Sequence, residues 1–168
     1  MKCFIGIDLG STTTKAVLMD EHLNVLGRGI TNSRSNYDTA SRVSKQEAII
    51  DTRFTLLRRN LGKVDGLADG LDNFLSELER NFRMHQFLHQ LDSLESICIE
   101  NAKGERFAGR EEAVKEVLAG VFKTLRDGTP EQFAPGAKRK SDFFRDIAGS
   151  QYMNTAETLA READLPFD

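Results

Sequence analysis

Between Asp8 and Lys15 the chain reads Asp-Leu-Gly-Ser-Thr-Thr-Thr-Lys: an acid, a glycine, four consecutive hydroxyl residues and a lysine. A carboxylate at the end of a strand can hold a magnesium ion, directly or through water. Gly10 permits a tight turn that brings backbone N–H groups close to an anion. Ser11, Thr12, Thr13 and Thr14 offer hydroxyl donors beside those amides. Lys15 adds a cation suited to phosphate oxygens. Together these groups suit the phosphates of a nucleotide, with Gly10, Ser11, Thr12, Thr13 and Lys15 on the phosphates and Asp8 on the metal. The competing reading is a plain hairpin with a polar tip. Such tips favour Asn-Gly or Asp-Gly, and four hydroxyl residues between an acid and a lysine are unusual for that purpose. The segment is not a Walker loop: no G-x-x-x-x-G-K-[ST] is present, and no G-x-G-x-x-G opens a helix.

Three strands are needed to position this turn. Cys3 to Ile7 is a short apolar run that reads as a buried strand. Ala16 to Met19 is apolar again, Asp20 to Asn24 is a polar turn, and Val25 to Ile30 reads as a third strand. Residues 1–37 therefore form an antiparallel meander, and residues 38–168 are mainly helical. Asp38 or Thr39 caps a helix to about Asn60, with Val43, Ile50, Phe54, Leu57 and Leu61 at helical spacing. The basic residues elsewhere on that helix read as a solvated face, with a partner-docking surface as the rival.

Gly62 to Gly70 is a break, and a second helix runs from about Leu71 to Leu91 with a wide apolar stripe. Leu94 to Glu100 reads as a strand, and Arg110 to Arg126 as a third helix. Pro130 to Lys140 reads as a loop whose Lys138-Arg139-Lys140 triplet is solvated. A short helix capped by Ser141 runs to Ala148. A last helix starts at Asn154 or Thr155 and ends before Pro166. His85 and His89 share a face of the second helix. Gln86 stands where a zinc H-E-x-x-H motif needs its acid, so packing or partner-facing roles are expected.

The chain has 168 residues, a net charge of −3 and a sequence pI near 5.7, which implies no field for nucleic acid or anionic membranes. No run approaches the roughly 18 apolar residues of a membrane span. Met1-Lys2 leads straight into a strand without a signal peptide, so the expected compartment is the cytoplasm. The two cysteines, Cys3 and Cys98, form no C-x-x-C motif. Both lie in apolar runs and read as inert core thiols.

The stretch from Asp8 to Lys15 resembles the first phosphate motif of the actin, heat-shock chaperone and sugar kinase ATPases. Within that superfamily, Gly6 to Val17 is most similar to the activator ATPases of 2-hydroxyacyl-CoA dehydratases and to the ATP-binding subunits of benzoyl-CoA reductase. Gly27-Arg28-Gly29-Ile30-Thr31-Asn32-Ser33-Arg34-Ser35-Asn36-Tyr37-Asp38 resembles the benzoyl-CoA reductase branch in particular.

The resemblance implies an α/β fold: a partial ribonuclease H-like (actin-like ATPase) lobe whose meander precedes a mainly helical region. It implies ATP and magnesium as cofactors, and ATP hydrolysis coupled to low-potential electron transfer for reduction of an aromatic CoA thioester. It implies a [4Fe–4S] cluster shared with a second ATPase subunit, a CoA-thioester-reducing subunit and a ferredoxin-type electron donor. The dehydratase activator, a small-molecule kinase and a non-catalytic helical interaction module stand as alternatives. The likeness is concentrated in the first quarter of the chain. An Asp-Ile-Gly-Gly-type second phosphate turn, a Cys-Ala-Ala-Gly-Thr-Gly-type cluster segment and a glycine-rich adenosine motif are absent from this sequence. The chain is thus expected to match the N-terminal part of such a subunit and to show weak or no turnover alone.

Overall fold

A computed structural model describes residues 2–33, 36–67, 69–138 and 143–165. Three strands, β1 (Cys3–Leu9), β2 (Thr13–Asp20) and β3 (Val25–Asn32), form an antiparallel sheet in the order β1-β2-β3. Helices α1 (Tyr37–Leu61), α2 (Leu71–Asn101), α3 (Glu111–Asp127), α4 (Thr129–Gln132) and α5 (Phe144–Glu162) follow, with a 3-10 turn at Glu105–Phe107. The fold is α/β, a three-stranded meander followed by a mostly helical region, as in a partial actin-like ATPase lobe. By its contacts the chain divides into two compact units, Met1–Glu79 and Arg80–Asp168.

In the first unit α1 packs on β2 and β3 through small residues. Ala40, Ser44, Ala48 and Thr52 are buried at four-residue spacing, one face of a helix. Gly27 and Gly29 lie opposite them. A Cβ on Gly29 would stand 2.0 Å from the Ser44 carbonyl oxygen, and one on Gly27 2.4 Å from Thr52 Oγ1. Helix and strand backbones therefore meet where only glycine fits. This small-residue face, rather than the larger Val43 and Leu57, meets the sheet; both of those are exposed. Arg28 N–H donates to Asp51 Oδ2 at 2.8 Å, a second tie between β3 and α1. Asn36 caps α1 by accepting from Thr39 N–H at 2.9 Å. The cap falls two residues before the earliest one expected, because the Asn36 carboxamide reaches the third amide on.

The β2–β3 turn is organised by Asp20, whose carboxylate accepts from His22 N–H, Asn24 N–H and the Asn24 side chain. The edge strand β1 is exposed along its whole length, with Phe4 54% and Leu9 53% accessible. Cys3 is consequently exposed, which corrects its expected burial.

The second unit has its own core. Phe87, Leu91, Ala102, Leu118, Val121, Phe122, Leu125, Phe133, Ala148 and Ala156 cluster together. Phe87 sits against Phe133 and Phe144 with ring centroids 5.7 and 5.2 Å apart. Arg126 bonds Asp92 at 2.8 Å and also Glu95, tying α3 to α2. Residues 94–100, expected as a strand, are the last turns of α2. Short apolar runs are ambiguous between the two periods. Here Leu91, Leu94 and Cys98 recur at helical spacing and join the core, so the helical period prevails. The two C-terminal helices expected separately are one, α5, from Phe144 to Glu162. Ser141 as a cap, Arg139 and Lys140 of the basic triplet, and Pro166 as a stop lie outside the described residues. His85 and His89 are both exposed on α2. No helix among the described residues is long and apolar enough to cross a membrane.

Candidate phosphate-binding hairpin

The residues from Asp8 to Lys15 form the β1–β2 hairpin. Register partners run from Cys3–Asp20 to Leu9–Thr14. Gly10 N–H donates to the Thr13 carbonyl at 3.1 Å, so Ser11 and Thr12 alone form the tip. A Cβ at Gly10 would lie 2.6 Å from the Thr13 carbonyl oxygen. That approach, and not a special φ, is why the position takes glycine. The Gly10 amide is committed inside the hairpin. Gly10 thus serves by shape rather than as a donor to a ligand.

Among the described residues, the amides of Ser11 and Thr12 at the tip donate to no other group of the chain. The carbonyls of Gly10 and Thr12 are by contrast occupied. Ser33 N–H donates to the Thr12 carbonyl at 2.9 Å, and Ser33 Oγ donates to the Gly10 carbonyl at 2.6 Å. Successive open amides in a turn can form an anion-binding concavity. Ser11 and Thr12 are exposed and Thr13 is half-buried, so their hydroxyls flank the amides. Thr14, read from sequence as a fourth donor, is fully buried and bonded to Ser33 Oγ at 2.8 Å. It belongs to the support of the turn.

Asp8 and Lys15 are cross-strand partners, and directly opposed residues share a sheet face. Thr14 and Ala16 occupy the buried face, so Asp8, Thr13 and Lys15 line the other one. Asp8 and Lys15 are both exposed, and no ion pair joins them among the described residues. The register extends this polar line. Thr13 is opposite Asn32, and Val17 opposite Arg28, which puts Asn32 and Arg28 on the same face as Lys15. Sequence reading passed over Arg28, Asn32 and Ser33 as site residues. Counting in twos along β3 and extending it to Asn32 identifies the first two. Only the fold identifies Ser33, whose bonds reach 19 to 23 positions back.

The chemistry of these groups can be tested against the implied cofactors. One exposed carboxylate suits magnesium, which keeps several waters and takes much of its shell from phosphate oxygens. A [4Fe–4S] cluster does not fit. Each unit has a single cysteine, Cys3 exposed and Cys98 half-buried. No group of three or more His, Cys, Asp or Glu is arranged for a metal among the described residues. Burial pushes the Cys98 thiol up, keeping it protonated and a poor ligand, though a hydrogen bond with Tyr152 partly offsets this.

Comparison with known proteins adds one finding. A family model described as the BadF/BadG/BcrA/BcrD ATPase family matches residues 5–133, most of the chain and all of the segment from Asp8 to Lys15. No curated protein and no solved structure matches.

Proposed function

The chain belongs to the BadF/BadG/BcrA/BcrD ATPase family, and on that premise we propose that its first hairpin holds the β- and γ-phosphates of ATP. In this reading Ser11 and Thr12 supply amides and, with Thr13, hydroxyls, Lys15 supplies charge, and Asp8 stands beside the magnesium ion. The supporting observation is the division of the turn, with the Gly10 and Thr12 carbonyls bonded to Ser33 and the Ser11 and Thr12 amides left open.

The finer reading is an ATP-binding segment of a benzoyl-CoA reductase-type ATPase subunit. Its support is the likeness of Gly27 to Asp38 to that branch. The partners would be a second ATPase subunit, a CoA-thioester-reducing subunit and a ferredoxin-type donor. The cluster of that assembly finds no ligand set among the described residues, and the share assigned to this chain is nucleotide binding. ATP shifts the shape of such an assembly only through different affinities for its two states. One hairpin is one jaw of the clamp this requires, so the chain alone binds Mg-ATP without efficient turnover.

Calorimetric titration with Mg-ATP tests the reading. The expected result is binding that inorganic tripolyphosphate displaces, since the phosphates carry the recognition. Absence of binding contradicts the phosphate reading. Turnover by the chain alone that disappears in Asp8→Ala contradicts the half-clamp reading.

A further inference from the structure

We infer that Ser33 is a positioning residue for the phosphate-binding hairpin, holding the Gly10 and Thr12 carbonyls inward and so leaving the amides of Ser11 and Thr12 to a phosphate. The inference rests on the phosphate reading of that hairpin. Ser33 stands just past β3 and is 2% exposed. It makes three bonds to one turn: its N–H to the Thr12 carbonyl, its hydroxyl to the Gly10 carbonyl, and its Oγ with Thr14 Oγ1. A serine hydroxyl has one hydrogen. That hydrogen is given to Gly10, so Thr14 is the donor in the remaining bond. Thr14 to Ser33 to Gly10 is thus a one-way relay with a fixed direction.

Its electrostatic consequence falls on the ligand. A carbonyl oxygen turned toward a phosphate repels it, and an amide attracts it. The backbone between Gly10 and Thr13 has few ways to satisfy both. Ser33 binds the two carbonyls of Gly10 and Thr12 on its own side, and the Gly10 amide closes on Thr13. The amides of Ser11 and Thr12 are the donors that remain. Ser33 touches no phosphate in this arrangement and acts through the turn.

The test compares Mg-ATP affinity of the wild-type chain, Ser33→Ala, Thr14→Val and Thr52→Ala, with thermal stability measured on each. Thr52 is buried in α1 and bonds the Ala48 carbonyl at 2.7 Å, away from the turn, so it reports the effect of lost stability alone. Ser33→Ala is expected to weaken Mg-ATP binding about tenfold, the scale of one lost hydrogen bond. It is also expected to shift the amide resonances of Ser11, Thr12 and Thr13. Thr52→Ala is expected to lower the melting temperature and leave affinity unchanged. Thr14→Val keeps the Ser33–Gly10 bond and is expected to cost about threefold, again on the hydrogen-bond scale. If Ser33→Ala does not fold, Thr14→Val against Thr52→Ala carries the comparison. Wild-type affinity in Ser33→Ala, or an equal loss in Thr52→Ala, overturns the positioning role while leaving the phosphate reading standing. A wild-type chain that binds no Mg-ATP overturns the phosphate reading and this inference with it.

Discussion

Single side chains divide the hairpin into what holds and what is held. Thr14 and Ser33 are buried and bonded, whereas Ser11, Thr12 and Lys15 are exposed. The sequence offered four equivalent hydroxyls, and burial removes Thr14 from the set. That distinction was not legible because period-2 alternation decides it only once the strand start is known. Asp20 shows the same economy at the other turn. Its carboxyl is held below the usual carboxylate range by the Asn24 side chain first, with the Asn24 and His22 amides adding to it against a smaller desolvation cost. A lowered folded-state pKa stabilises the fold above the unfolded value, and that stabilisation is lost as pH falls through the folded value. The stability gap between wild type and Asp20→Asn is therefore expected to close below about pH 4. Denaturation midpoints at stepped pH check this, and a gap that widens on acidification contradicts it. The two thiols should also separate. Cys3 is exposed and Cys98 half-buried with a raised pKa. Alkylation at neutral pH is expected to be fast at Cys3 and slow at Cys98 in the folded chain, as mass spectrometry of timed samples would show.

Among the elements, α1 packs on β3, the strand that leads into Ser33. Gly29 is the tightest point, with room for no Cβ beside Ser44 and Ala48. Gly29→Ala is expected to destabilise the first unit by about 1–3 kcal/mol, as overpacking does. Urea unfolding measures it, and an unchanged midpoint would mean that α1 lies farther from β3 than described. The strands and α1 were legible in sequence because their apolar runs are bounded by glycine and polar turns. So was α3, whose Leu118, Val121, Phe122 and Leu125 are buried together. What misled was a face defined by size. Of the stripe expected from Val43 to Leu61, Ile50 and Phe54 are buried while Val43 and Leu57 are exposed, and the glycines of β3 are met by Ser44, Ala48 and Thr52 instead. The strand expected at 94–100 failed for a related reason, since a local alternation was outweighed by packing along a 31-residue helix.

At the scale of the molecule, the sheet keeps one strand open. β1 is largely apolar, exposed from Cys3 to Leu9, and among the described residues pairs only with β2. An open apolar edge templates further strand pairing. The isolated chain is therefore expected to self-associate as concentration rises, and Ile5→Lys to reduce this by charging the edge. Sedimentation velocity decides it, and a wild-type chain that stays monomeric contradicts it. The central claim is that a nucleotide's phosphates bind at the hairpin between Asp8 and Lys15. Amide chemical-shift mapping during Mg-ATP titration tests that most directly. The account predicts the largest shifts at Ser11, Thr12, Thr13 and Lys15, lost in Asp8→Ala when magnesium is required. Shifts confined to residues beyond Glu79, or no shifts at all, would contradict it.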